Sequence, residues 1–202
     1  MSDRQSKAGT GGISLCLRCT YARMFRGQTL LWFLEKTPPE FRVLPVLRYS
    51  RRLEGERYKK SPQLVEEYLK SHPTFEAPGK YLVFKRLDKL AEEEKPFAAI
   101  FFATPDVLSG LFTLANYDRA DPYGVISPMG AGCASIINYP YEEAQSESPR
   151  CILGMFDVFA RPCVPEGKLT FTIPMQRLEQ MTLNMDESFL ITKSWDLVRK
   201  RL

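Results

Sequence analysis

The chain has 202 residues, a formal net charge of +4, and 44% hydrophobic against 26% charged residues, a balance that excludes a chiefly disordered polypeptide. No window approaches the roughly 20 consecutive apolar residues of a membrane span, the N-terminal residues lack the apolar stretch of a secretory signal, and the mild, dispersed positive charge gives no ground for a nucleic-acid partner. A soluble, cytoplasmic chain without membrane association is expected, and its five cysteines are then thiols, metal ligands or redox groups before they are disulfides.

Residues 1–12 read as a polar, disordered lead and residues 13–202 as one domain. From Ile13 to Arg26, Leu15, Cys19 and Ala22 recur at helical spacing, and Gly27 ends the pattern as a C′ glycine does. A helix there brings Cys16 and Cys19 to one side. A lone C-x-x-C is a weak signal, open to three readings: structural cysteines, ligands of a shared metal or iron–sulfur site, or a redox pair. The redox reading wants the pair at a helix start after a strand, which Leu17-Arg18 in mid-helix does not give.

Thr29 to Leu34 reads as a short strand closed by Pro38 and Pro39. Arg42 to Lys60 is arginine-rich, with Tyr49 and Tyr58 interleaved. That mixture could follow a phosphate backbone, but no nucleic-acid module frames it, and a solvated connector is the plainer reading. Ser61 as N-cap and Pro62 at the first helical position open a helix with Leu64, Val65, Tyr68 and Leu69 on one face. Pro73 ends it, and His72, the single histidine, stands where a cap suits it better than catalysis. One histidine also leaves little equipment for Cys-His or multi-histidine chemistry.

Lys80 to Phe84 reads as a strand and Leu87 to Lys95 as a charged, exposed segment. The unbroken apolar run Phe97 to Ala103 predicts a strand buried on both faces. Thr104 as N-cap, Pro105 and Asp106 then start a helix that runs to Tyr117. Tyr123 to Ser127 predicts a second strand, leading through Ser127-Pro128-Met129-Gly130-Ala131-Gly132 into a helix that starts at Cys133. Unpaired first-turn amides and the helix dipole favour an anion at such a start, so a thiolate or a bound phosphate or carboxylate would be stabilised. The plain alternative is that Gly130 and Gly132 take positive φ in a tight turn and Cys133 is a small buried hydrophobe. Two consecutive strand-to-helix turns put both helix starts on one edge of the sheet, where open α/β sheets hold ligands, and Asp106 falls on that edge with Cys133.

Tyr141 to Pro149 reads as an acidic loop, and Arg150 to Cys163 as strand, turn and strand. Leu169 to Ile173 has the period-two pattern of a strand ended by Pro174, followed by an amphipathic helix from Met175 to Met185 with Leu178, Met181 and Met185 inward. Ser194 caps a short C-terminal helix whose basic end complements the helix dipole.

Several of these stretches together resemble the DUF169 (ArCR) family of uncharacterised prokaryotic proteins. They are Cys16 with Ala22-Arg23 and Gly27, Tyr58 to Leu69, Thr104-Pro105-Asp106 after an apolar strand, Gly132-Cys133, Gly154 and Arg161, and Thr172-Ile173-Pro174 before a helix. The resemblance implies a prokaryotic intracellular protein and supplies no activity. Relatives in that family tend to carry a further N-terminal strand and a cysteine near Leu44 to Leu47, so this chain is expected to be shortened or divergent. The cysteines that could still converge are Cys16, Cys133 and Cys151, with Cys19 or Cys163 as a fourth.

The expected fold is α+β, a single domain with a mixed β-sheet and flanking helices. The leading functional expectation is a protein that binds a small anionic ligand or cofactor through Asp106, Gly130, Gly132 and Cys133. The alternatives are a metal or iron–sulfur protein using Cys16, Cys19, Cys133 and Cys151, and a homo-oligomer whose role is interaction. No catalytic residue and no particular cofactor is assigned.

Overall fold

Two inner strands, buried on both sides, set the frame. β3 (Ala98–Ala103) and β6 (Leu169–Pro174) pair antiparallel with Phe101 opposite Phe171 and Ile100 opposite Thr172. The structure is a computed structural model that describes residues 29–34, the backbone alone, and residues 57–79, 81–158 and 160–202. The predicted helix at 13–26, with Cys16 and Cys19, and the arginine-rich stretch up to residue 56 lie outside the described residues.

Among the described residues the sheet has six strands in the order β2-β1-β3-β6-β5-β4, counting β1 (Thr29–Leu34), β2 (Tyr81–Arg86), β4 (Val125–Ile126) and β5 (Cys151–Gly154). β4 pairs parallel with β5 and every other pairing is antiparallel, so the sheet is mixed and the class α+β. The helices are α1 (Pro62–Lys70), α2 (Pro105–Leu114), α3 (Tyr139–Glu143), α4 (Met175–Leu183) and α5 (Lys193–Arg199). One face of the sheet packs Ala99, Phe101, Phe171 and Ile173 against Leu111 and Leu114 of α2 and Leu178 and Met181 of α4. The opposite face packs Ile100, Leu82 and Phe102 against Ile136 and Ile137 in the helical segment before α3. β3 is thus covered on both sides, as its unbroken apolar run predicts.

Several local expectations are corrected. β6 does not alternate between core and solvent: Thr170 and Thr172 are as buried as Phe171 and Ile173, because the helical segment at 132–143 covers the side that a two-layer fold would leave wet. The second strand expected before Cys163 is replaced by irregular chain and a short 3₁₀ turn, Arg161–Cys163. Met155 turns the backbone there at φ 64, and Pro162 cannot donate to a ladder. The stretch after β2 is not simply exposed. Leu87 is in the core, and Glu94 folds back to hold Lys85 Nζ at 2.7 Å. α5 begins earlier than its sequence suggests, because the Thr192 hydroxyl, not Ser194, accepts the Trp195 amide. The acidic stretch from Tyr141 starts as the last turn of α3, where Glu143 is buried and accepts the Arg150 amide at 2.7 Å.

Candidate functional site

The chain leaves β4 at Ile126, crosses Ser127 to Ala131, and is helical from 132 to 143. The middle of that stretch, Ala134–Asn138, is a π-turn closed by the Tyr139 amide donating to Ala134 O. Pro140 explains the widening, since it has no N–H and its ring would crowd a carbonyl one α-turn back. Neither Gly130 nor Gly132 has positive φ; among the described residues that is confined to Gly167, Arg57 and Met155. Close approach fixes these glycines instead. A Cβ on Gly132 would lie 2.8 Å from Met155 Sδ and 3.0 Å from Ala160 Cβ, and one on Gly130 would lie 2.9 Å from Ala134 Cβ.

The carboxylate at this helix start is Asp157. Its Oδ2 accepts the Gly132 amide at 2.7 Å, while Oδ1 accepts the Tyr58 hydroxyl at 2.6 Å and the Ala160 amide at 3.2 Å. The anion favoured by first-turn amides is therefore supplied by the protein at Gly132, and an external anion does not have that amide. Asp106 stands elsewhere. It opens α2, where Thr104 takes the cap position without a side-chain bond, and it pairs with Arg201 at 3.1 Å. Both helix starts do lie on the same edge, but β6 and β5 intervene between β3 and β4. Three strand steps put those strand ends about 14 Å apart, so the structure does not bring Asp106 to Cys133.

Ser135 fastens the turn to the chain beyond β5. Its buried hydroxyl donates to Gly132 O at 2.8 Å and accepts the Met155 amide at 3.3 Å. Gly154 is required beside it, since a Cβ there would lie 2.4 Å from Ser135 Cβ. Across the opening, α1 is capped by the Ser61 hydroxyl, which accepts the Leu64 amide at 3.3 Å. Tyr68 donates to Met129 O at 3.3 Å, and Lys59 Nζ lies 4.4 Å from the Tyr68 ring centre and 3.9 Å from Met129 Sδ. Burial, with the nearby Tyr139, Asp157 and Cys133 adding to it, pushes the Tyr68 phenol up to about 12. His72 caps the end of α1 as its position predicts, with Nδ1 2.7 Å from Tyr68 O. Because a carbonyl only accepts, Nδ1 carries the proton, and Nε2 lies 3.5 Å from where a Cβ on Gly130 would stand.

Between the turn and Met155 lies a cavity of about 370 Å³, lined by Ser127, Pro128, Met129, Gly130, Ser135, Gly154, Met155, Phe156 and Asp157. Pro128, Met129, Met155 and Phe156 make an apolar wall, and Ser127, Ser135 and Asp157 supply polar atoms. Of the residues expected here from sequence, Gly130 lines the cavity, Gly132 and Cys133 adjoin it through the turn, and Asp106 does not take part. Asp157, Ser135, Met155, Tyr58 and Tyr68 are additions. A faint trace of Asp157 exists in the sequence, as an Asp three residues before a turn-forming Ala-Arg-Pro, which is cap spacing.

Among the described residues the cysteines do not gather. Cys133 is half-buried in the turn and Cys163 is exposed. Cys151 is fully buried at the opposite end of β5, where its thiol contacts Met181 Sδ at 3.8 Å and burial pushes it up to about 12. Cys16 and Cys19 lie outside the described residues. Among the described residues no cluster of three or more His, Cys, Asp or Glu could hold a metal ion, and no helix is long and apolar enough to cross a membrane.

A family model, DUF169, described as uncharacterised ArCR, matches residues 5–184, and the chain belongs to that family. No curated protein and no solved structure matches it.

Proposed function

We propose that this DUF169 protein binds a small, mainly apolar molecule in the cavity between the Gly130 turn and Met155, with a polar edge of the ligand directed at Ser127 and Asp157. The observation that carries this reading is the cavity itself, whose volume of about 370 Å³ lies in the range of small-molecule pockets, with the mix of apolar wall and few polar groups that such pockets show. The conformation of Met155 supports it. A non-glycine residue at φ 64 costs about 1–3 kcal/mol and such strain collects at ligand sites. Ser135 holds that conformation through the Met155 amide, and Gly132 leaves room for the Met155 side chain. Asp157 on the Gly132 amide turns the expected chemistry from an anionic ligand to a neutral one, or to one that donates hydrogen bonds.

Methionine-methyl NMR tests this, because Met129 and Met155 line the cavity while Met181 is buried in the core on the other sheet face. Neutral aromatic probes with an N–H donor, indole and benzamide at millimolar concentration, should shift the Met129 and Met155 methyls and leave Met181 in place. No shift at either cavity methyl, or an equal shift at Met181, would overturn the reading. Inorganic phosphate serves as the anion arm, and a phosphate-dependent shift of the Gly132 amide would restore the anionic ligand.

A further inference from the structure

We infer that residues 58–73 form a strap across the candidate site, latched by the Tyr58 and Tyr68 hydroxyls, and that release of this strap admits solutes to the Gly130–Cys133 turn. The strap is anchored unevenly. At its C-terminal foot, Asn138 Nδ2 donates to Pro73 O at 3.1 Å, and just beyond it Phe75 stacks on Tyr141 with ring centres 4.3 Å apart. Its middle has no such footing. No residue of α1 is fully buried, Tyr68 being half-buried, and Leu64, expected on the apolar face, is 43% exposed. Among the described residues the hydrogen bonds that cross to the site are Tyr58 to Asp157, Tyr68 to Met129 O, and Lys59 at Met129 Sδ, and nearer the foot the His72 ring lies beside Tyr139 with centres 5.9 Å apart.

A segment that buries little apolar surface and is fastened by individual hydrogen bonds opens at a small fraction of the cost of global unfolding. These three bonds end on Met129 and Asp157, both of which line the cavity, so this part of the strap bears on the site. Tyr58 is then a positioning residue, since its hydroxyl shares Asp157 Oδ1 with the Ala160 amide while Oδ2 holds Gly132. Release of Tyr58 both lifts the strap and loosens the carboxylate that closes the helix start. Cys133 is half-buried in the turn whose Gly132 amide is held by Asp157 and whose Met129 carbonyl is reached by Tyr68.

The purpose of the strap rests on the binding reading above, but its existence is tested without any ligand, so the two can fail separately. Three thiols report at once: Cys133 half-buried in the turn the strap crosses, Cys151 in the core and Cys163 on the surface. The full chain is alkylated with iodoacetamide and each cysteine-containing peptide is followed by mass. When opening is fast relative to alkylation, the Cys133 rate follows the population of the opened state. Tyr58→Phe, which removes one ordinary hydrogen bond, should raise that rate about five-fold. Tyr68→Phe, whose bond is longer, should raise it about three-fold, and the double variant about fifteen-fold. Cys151 and Cys163 should keep their wild-type rates. A Cys133 rate unchanged in the double variant overturns the strap, as does a Cys151 rate that rises in step with Cys133, because opening would then be unfolding of the whole sheet.

Discussion

Truncation of Asp157 measures how much of the site hangs on one carboxylate. In Asp157→Ala three donors lose their acceptor: the buried Gly132 amide, the half-buried Ala160 amide and the Tyr58 hydroxyl. A buried amide left without an acceptor costs about 1–3 kcal/mol, and one that water partly reaches costs less. Allowing about 2 kcal/mol for Gly132, about 1 for Ala160 and about 0.5 for Tyr58, which can turn to solvent, gives about 3.5 kcal/mol. The lost cap of the 132–143 helix, ordinarily about 1 kcal/mol, is the same Gly132 bond seen from the helix and is not added again. With a urea m-value of about 2.5 kcal/mol/M the unfolding midpoint should fall by about 1.4 M. Asp157→Asn keeps the volume and one acceptor, but its Nδ2 must face either the Gly132 or the Ala160 amide, so it should recover about half of the loss. Urea unfolding followed by circular dichroism reads both variants. A loss below about 1 kcal/mol in Asp157→Ala would refute the reasoning, since water would then satisfy the amides as well as the carboxylate does.

Two further outcomes concern the opposite side of the sheet. Burial raises the Cys151 thiol from 9.0 to about 12, so the native state keeps a proton that the unfolded chain releases; the resulting stability is full below about pH 9 and is lost as pH rises towards 12, by up to about 4 kcal/mol. Urea midpoints from about pH 8 to about pH 11 should therefore fall, with a shallower slope in Cys151→Ala, and equal slopes would sink the assignment. Arg177, 3% exposed, is held by Asp118 Oδ2 at 2.9 Å and by Ala115 O at 3.0 Å, and the hydrogen bond from its guanidinium is the largest influence holding the Asp118 carboxyl below the usual carboxylate range. Asp118→Ala strands a buried cation and should cost about 3 kcal/mol, the low end for a buried pair because Asp118 is partly solvated. The wild-type pair's contribution is present above the unfolded carboxyl pKa and is lost as pH falls, so the variant should show a flatter acid limb; matching acid limbs would contradict the pairing.

The parts of the fold that were legible from sequence are those in which one local signal suffices. Ser61-Pro62 states the start of α1 by itself, and its hydroxyl bond to Leu64 is there. The unbroken run before Thr104 states burial on two faces, and Phe101 and Ile100 duly enter different clusters. The misreadings come where distant chain supplies the deciding contact. Leu64 belongs to a helical stripe by spacing, yet it is 43% exposed. Thr170 and Thr172 look solvent-facing by period, yet a helical segment some thirty residues earlier in the chain covers them. Gly130 and Gly132 read as turn glycines. Their cause is instead the nearness of Ala134, Met155 and Ala160, and of these only Ala134 is a sequence neighbour.

The same distinction decides which aspartate belongs to the site. Asp106 has every local credential, a strand before it and a helix start around it, and it does sit at the sheet edge that carries the glycine turn. Strand order removes it: β6 and β5 insert between β3 and β4, and Arg201 takes its carboxylate. Asp157 follows β5, the strand that pairs directly with β4, so adjacency in the sheet delivers it to the helix that β4 feeds. Once there it fills the anion position that the helix dipole creates. A helix start that arrives already capped by the protein's own carboxylate is a wall of a pocket. What remains beside it is largely apolar volume bounded by Met129, Met155 and Phe156, and on the proposed reading a ligand is selected by fit to that volume, with Asp157 accepting a hydrogen bond at its rim.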